Sequence, residues 1–463
     1  MKFAVSSTHQ LACVLLASLL IAGCHQGTSS SKGVPGPEYA AIIERLTKEG
    51  VPTTPALMQE PMPAESDNAG PMYLKVAPAV NGKSHAAEDS ILDNSGGLKS
   101  MPSEAQYAQI GKALVKRASV MNEIHTAAHK KACAFIKDYS DPGKFRFPEL
   151  AAIRDSTRRI TAESLAMAHA GHAVEAVKNQ ALVFQMAKHA AHEHTLIGML
   201  VQAACNAIGL SGLQKILYVS HGNAQAAMRI AEVIQVNLGD LDLQAVWKKE
   251  RGIQIQLLER CRKDGPAGLR AYNDGKHNTQ VNISPDKWDE YIDHNGIVLQ
   301  NRMERVVTAS LKPIWQAMAE LSKIDTESDK DQDPNDVIAV IALMETNRVL
   351  LKIATNNATA SLTQLGAELI AYKANHGSYP ASLSKIVSPE PIDPNNGKPY
   401  GYTREGDGFV VFSTGVNSDF DGGEPGKVKG RFDVLFRYPL PAYYKVGTGS
   451  AVTGHTPTPG ERK

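Results

Sequence analysis

The 463-residue chain contains none of the short motifs that would name a reaction. It has no Gly-x-Ser-x-Gly elbow, no Gly-x-x-x-x-Gly-Lys-Ser/Thr phosphate loop, no dinucleotide fingerprint and no His-Glu-x-x-His pair. Net charge is missing too: 49 basic against 48 acidic residues leave +1, so no global field draws the chain to nucleic acid or acidic lipid. Cysteine is scarce, with five in all and no Cys-x-x-Cys pair, which argues against a zinc knuckle and a disulfide framework. Cys133, Cys205 and Cys261 read as buried thiols, or as one exported disulfide plus a free thiol. The motif deficit points to a binding or scaffold protein rather than an enzyme.

What the chain does have is length for two or more packed units and an ordinary globular composition, 43% hydrophobic and 21% charged. At its start, Lys2 precedes an apolar run from Leu11 to Ala22, too short to span comfortably as a permanent helix. The run closes on Ile21-Ala22-Gly23-Cys24, which resembles the lipobox of bacterial lipoproteins. That resemblance implies cleavage after residue 23, acylation of Cys24, and a protein held to the membrane by its N-terminal lipid. His25 follows where an Asp would suggest inner-membrane retention, so the outer membrane, facing the periplasm, is the expected location. A plain secretory signal or a short anchor is the alternative. Residues 24–37, rich in Ser, Gly, Thr, Lys and Pro, read as a flexible tether.

The expected fold is mainly α: an antiparallel helical-hairpin domain over 38–323, then a small α+β module over 337–440. Tyr39, Ile42, Ile43 and Leu46 predict a short helix stopped by Gly50, with a second short piece after Pro52. Met72 to Ala77, bracketed by Pro71 and Pro78, predicts an extended segment. From Ser103 to Ser322, apolar residues step at three or four, as in Ile110, Leu114, Ala118, Met121, Ile124 and Ala128. Breakers at Asp141-Pro142-Gly143, Gly209, Gly222, Gly239 and Asp264-Gly265-Pro266 divide this into six or seven helices. Ala168 to Ala176 carries a small-residue hairpin turn like that of tetratricopeptide arrays, without a second copy at fixed spacing.

His169 and His172, with His189, His192 and His194 one helix later, form the only histidine group dense enough to suggest zinc. On a helix His189 and His192 share a face while His194 lies well round the axis, and Glu193 completes no metallohydrolase pattern, so a solvated polar face is expected. The rival reading is an envelope hydrolase with its site in the helical domain. The acidic run at 324–336 lacks the Gly and closing Glu of a calcium loop and reads as a linker between domains.

The last quarter is the most informative. A long helix from Val337 ends at Asn375-His376-Gly377, followed by Tyr379-Pro380, Asp393-Pro394-Asn395-Asn396-Gly397-Lys398-Pro399-Tyr400, a hairpin turn at Glu405-Gly406-Asp407-Gly408, the strand Phe409–Phe412, a loop from Ser413 to Gly423, and a final strand Phe432–Phe436. From Thr363 to Tyr438 this order resembles the globular head of the major pseudopilin, protein G, of type II secretion systems. The chain departs from that family in having a lipobox where a prepilin-peptidase site would be, so assembly into a pseudopilus is not implied; an accessory role in type II secretion is an alternative that rests on this analogy alone. The resemblance implies a calcium site. Here Asn417, Ser418, Asp419 and Asp421 offer hard oxygens, and Asp433 could close the site. An Asx-turn loop without an ion is the alternative, and calcium is the one cofactor expected. Residues 441–463 read as disordered.

Overall fold

In the computed structural model the described residues are 33–80, 92, 101–139, 147–238, 242–271, 283–330, 336, 339, 346–415 and 434–440. They are mainly helical, with one small antiparallel sheet. In chain order the helices are α1 (Pro37–Lys48), α2 (Pro55–Met58), α3 (Gly70–Val80), α4 (Glu104–Lys116), α5 (Ala118–Ala128), α6 (Pro148–His169), α7 (Ala173–Ala191), α8 (Leu196–Val219), α9 (Ala224–Asn237), α10 (Leu243–Ala271), α11 (Trp288–Ser310), α12 (Ile314–Lys330) and α13 (Thr346–His376). The strands are β1 (Gly401–Glu405), β2 (Gly408–Ser413) and β3 (Val434–Tyr438), in the order β1-β2-β3.

Local punctuation acts where it stands in the sequence. The α6–α7 hairpin turns at Gly171, φ 92°, where Gly171 N–H and His172 N–H return to Ala168 and Met167 carbonyls. Gly222, φ 70°, repeats the device between α8 and α9, and Gly377, φ 78°, ends α13. Gly265, φ 69°, breaks α10.

Two expectations fail for tertiary reasons. Residues 72–77 are helical, within α3: Pro71 lies in the first turn, where its missing N–H goes unneeded, and Pro78 in the last. Tyr73, Val76 and Val80 are fully or nearly buried on one face, so packing outweighs the bracketing prolines. Gly209 does not break a helix either. It lies inside α8, where an added Cβ would come within 2.7 Å of the Phe184 ring on α7. Gly212, one turn on, faces Gln180, which is fully buried and donates to Thr161 Oγ1 (3.0 Å) and the Gly209 carbonyl (3.2 Å). These glycines let three helices approach closely, and Gly212→Ala should destabilise the fold by about 1–2 kcal/mol despite the better helix propensity of Ala. Thermal denaturation of the variant at or above the parent's midpoint would contradict this.

α8 is long and apolar enough to cross a membrane, yet 56% of that stretch is buried in the fold, where the helix packs on α6, α7 and α13. It contributes to each of the three large apolar clusters: one with α4, α6, α7, α9, α13 and the sheet, one with α1 and α10–α13, and one with α3, α5, α6 and α7. Leu365, Phe409 and Phe436 therefore share a core with Leu213, Ile216 and Ile230.

Of the acidic run, Asp325 to Lys330 continues α12. Asp336 is buried, accepting from His294 Nε2 (2.7 Å) and Arg302 (3.3 Å), so this residue is not part of a solvated linker. The expected hairpin joins β1 and β2 through Gly406, φ 56°, and Asp407. Cys133, Cys205 and Cys261 are buried and form no disulfide with one another.

Candidate functional site

The described residues do not gather the five histidines. His169 ends α6, stacked on Tyr107 at 3.9 Å and 3.1 Å from Glu104, and His172 is exposed at the start of α7. His189 lies seventeen residues along α7 from His172, about 25 Å away at 1.5 Å per residue. Among the described residues no group of three or more His, Cys, Asp or Glu side chains could hold a metal.

His189 is not on a solvated face as expected, because α3 and the segment after α5 cover it. Only 3% exposed, it accepts the Tyr73 hydroxyl at Nδ1 (2.9 Å) and donates from Nε2 to the Lys130 carbonyl (3.0 Å). Burial lowers its pKa to about 4, so it is a neutral structural imidazole.

The chemistry collects instead around the residue between the other two histidines. α7 ends at Ala191, and Thr195 caps α8 by accepting Gly198 N–H at 3.1 Å. The short connection is held tight by His194 at φ 51°, and it turns Glu193 inward, 8% exposed. Across from it runs the segment 130–139, outside any helix. Asn68 bonds both Ala134 N–H (2.9 Å) and Ala134 C=O (3.1 Å). Gln59 in the same way takes Lys137 N–H and Phe135 C=O, each at 3.2 Å. Two side-chain amides thus do the work of a neighbouring strand, and they fix Lys137 and Tyr139 against the core.

Lys137 reaches Glu149 at the start of α6 and lies 3.8 Å from Glu193 Oε2. From α10, Lys249 donates to the Met58 carbonyl, lies 3.3 Å from Glu60 Oε1 and sits 4.8 Å above the Tyr139 ring. Glu250, next in α10, accepts Leu196 N–H at 2.6 Å. Glu60 also meets His194 Nδ1 at 3.2 Å. The four carboxylates of Glu60, Glu149, Glu193 and Glu250 all act electrostatically on Tyr139.

These surroundings shift protons in opposite directions. Burial raises both Glu193 and Glu250 to about 7, and it lowers His192. The His194–Glu60 hydrogen bond raises the imidazole and lowers the carboxyl. Among the described side chains of this site, Glu193 and His192 each bury one atom, Oε1 and Nε2, without a hydrogen-bond partner. The site opens toward solvent on the side of Glu60 and His194, whose side chains are 24% and 37% exposed.

Sequence reasoning considered Glu193 only as part of a metal motif and missed Glu60, Lys137, Tyr139, Glu149, Lys249 and Glu250. The one available signal was Lys249 three residues after Val246, a charge on an apolar helical stripe. Cys24, Asn417, Ser418, Asp419, Asp421 and Asp433 lie outside the described residues. Among the described residues of the module, Asp393, 1% exposed, accepts from Asn395, Asn396 and Ser413 in a closed hydrogen-bond network.

Comparison with known proteins gives no matching family model, no matching curated protein and no matching solved structure.

The raised carboxyl carries a pH signature. Glu193 binds a proton more readily folded than unfolded, so stability is fully present below about pH 4.5 and is lost as pH rises through about 7. Glu193→Gln should therefore match the parent near pH 4.5 and exceed its stability at pH 8 by about 3 kcal/mol. Urea titrations at the two pH values check this, and an equal difference at both would refute it. His189 acts with the opposite sign, costing stability as pH falls from about 6.5 to about 4.

Proposed function

We propose that the chain is a lipid-anchored bacterial envelope protein, held by Cys24 and facing the periplasm, that works as a binding or scaffold protein. The supporting observation is how the first described residues pack. Gly36 N–H donates to Asp293 Oδ2 (2.9 Å) and Tyr39 is fully buried beside Gly296, so the chain is fixed to the helical body a few residues after the polar segment that follows Cys24 in sequence. Two or three acyl chains would moor such a body firmly, with the tether as spacer.

The C-terminal module adds the second part of the reading. A long helix backed by an antiparallel sheet supports the resemblance to a pseudopilin head, with calcium held by Asn417, Ser418, Asp419, Asp421 and Asp433 and an accessory role in type II secretion as the variant of this function. Neither part involves nucleic acid.

Labelling with radioactive palmitate tests the anchor. The parent should take up label and fractionate with membranes, and Cys24→Ser should do neither. An unlabelled, soluble parent would overturn the reading. Affinity recovery from solubilised envelope, with and without chelator, then reports whether secretion components accompany the protein.

An envelope hydrolase is the second reading, favoured by one observation: Glu193, a buried carboxyl that titrates near neutrality beside Lys137 and His192.

A further inference from the structure

The partners around Tyr139 do not come out even. Glu149 is matched by Lys137, and Glu60 by Lys249 and His194. Glu250 accepts a backbone N–H. Glu193 has Lys137 at 3.8 Å from Oε2, a long contact that Lys137 shares with its nearer partner Glu149, and nothing at Oε1. Four carboxylates thus surround one tyrosine with two ammonium groups between them, and one buried acceptor atom is left over. A buried acceptor without a donor costs about 1–3 kcal/mol, so it is a feature that needs an explanation.

We propose that Glu193 Oε1 is the acceptor of a binding site for a primary ammonium group, entering past Glu60 and His194. The reading does not depend on the lipid anchor or on catalysis. A cation there supplies the missing N–H donors and the missing positive charge together. A metal ion is the poorer fit, because among the described residues no three suitable ligands converge. An anion is poorer still, facing four carboxylates. Free Glu193, raised to about 7 by burial, can hold a proton near neutrality in place of the cation. The carboxyl holds its own proton until a ligand replaces that charge, and binding at pH 6.5 then releases a proton.

An ammonium group can come from a lysine side chain or from an amino sugar, and the experiment separates them. Calorimetry with the full chain would use Nα-acetyl-lysine amide, glucosamine and, as a cation without N–H donors, tetramethylammonium. Saturable binding of at least one amine is expected, with tetramethylammonium at least tenfold weaker. Its heat at pH 6.5 should vary with buffer ionisation enthalpy, as proton release demands. Glu193→Gln should weaken it at least tenfold and abolish the buffer dependence. The better amine names the source. Glu60→Gln, at the solvent-open rim, should weaken binding severalfold even if the Glu193→Gln variant does not fold. No saturable binding of either amine, equal binding of tetramethylammonium, or unchanged affinity in both variants would overturn the proposal.

Discussion

Replacing Arg262 by Ala should cost about 3 kcal/mol, the low end of what breaking a buried ion network costs. Its guanidinium is fully buried at the junction of α10, α11 and α1. Nη2 donates to Asp293 Oδ1 at 2.6 Å, Nη1 to the Asp289 carbonyl at 3.1 Å, and Nε to Glu259 at 3.3 Å. Without it, three carboxylates would face one another. Glu259 is already pushed up by burial, and the Tyr39 hydroxyl beside them has no partner. Asp293 also receives Gly36 N–H, so the docking of α1 should loosen with it. The lower end of the range applies because the carboxylates are 19–28% exposed and water can reach them once the arginine is gone. Arg262→Lys should recover only part of the loss, since a point charge cannot serve three directions at once. Urea denaturation that places Arg262→Ala within 1 kcal/mol of the parent would remove the argument.

Phe436→Ala should cost about 3–5 kcal/mol and affect the whole fold rather than the sheet alone. The ring, 1% exposed, fills the space that Gly366 leaves on α13, and it lies 5.8 Å from Tyr218 on α8 and 6.0 Å from Phe409. β3 is further tied to α8 by the Tyr218 hydroxyl, which donates to the Arg437 carbonyl at 2.9 Å. In a Trp315→Phe background, which removes the tryptophan that lies against Gly397 of the module, Trp247 and Trp288 report on the helical side of this contact. Their fluorescence midpoint should therefore fall together with the far-ultraviolet signal. A tryptophan midpoint that stays put while ellipticity drops would mean that the module melts by itself.

How much of this was legible beforehand follows from the range of the interactions. Gly171, Gly222, Gly265, Gly377 and Gly406 mark turns or kinks because a positive φ is a property of one residue, readable wherever it stands. The β1–β2 hairpin and the amphipathic helices are likewise local patterns. Gly209 has no such conformation: its meaning lies in the Phe184 ring of another helix, which no window of sequence contains. The same holds for α3, made helical by a buried face despite its prolines, and for the Glu193 site. Its members come from the segments around residues 60, 137, 149, 193 and 249, each an unremarkable charged residue in its own neighbourhood. Glu193 itself stands between two histidines, members of a group that suggests a metal motif which the described residues do not assemble.

The clamp at Gly36 and Tyr39 has a mechanical consequence. A pull exerted on residue 33 would travel into α1 and load the Asp293 contact and the Tyr39 seat in the Gly296 notch before reaching any strand. Rupture under tension should thus begin at the leading helix, with the sheet and α13 peeling last.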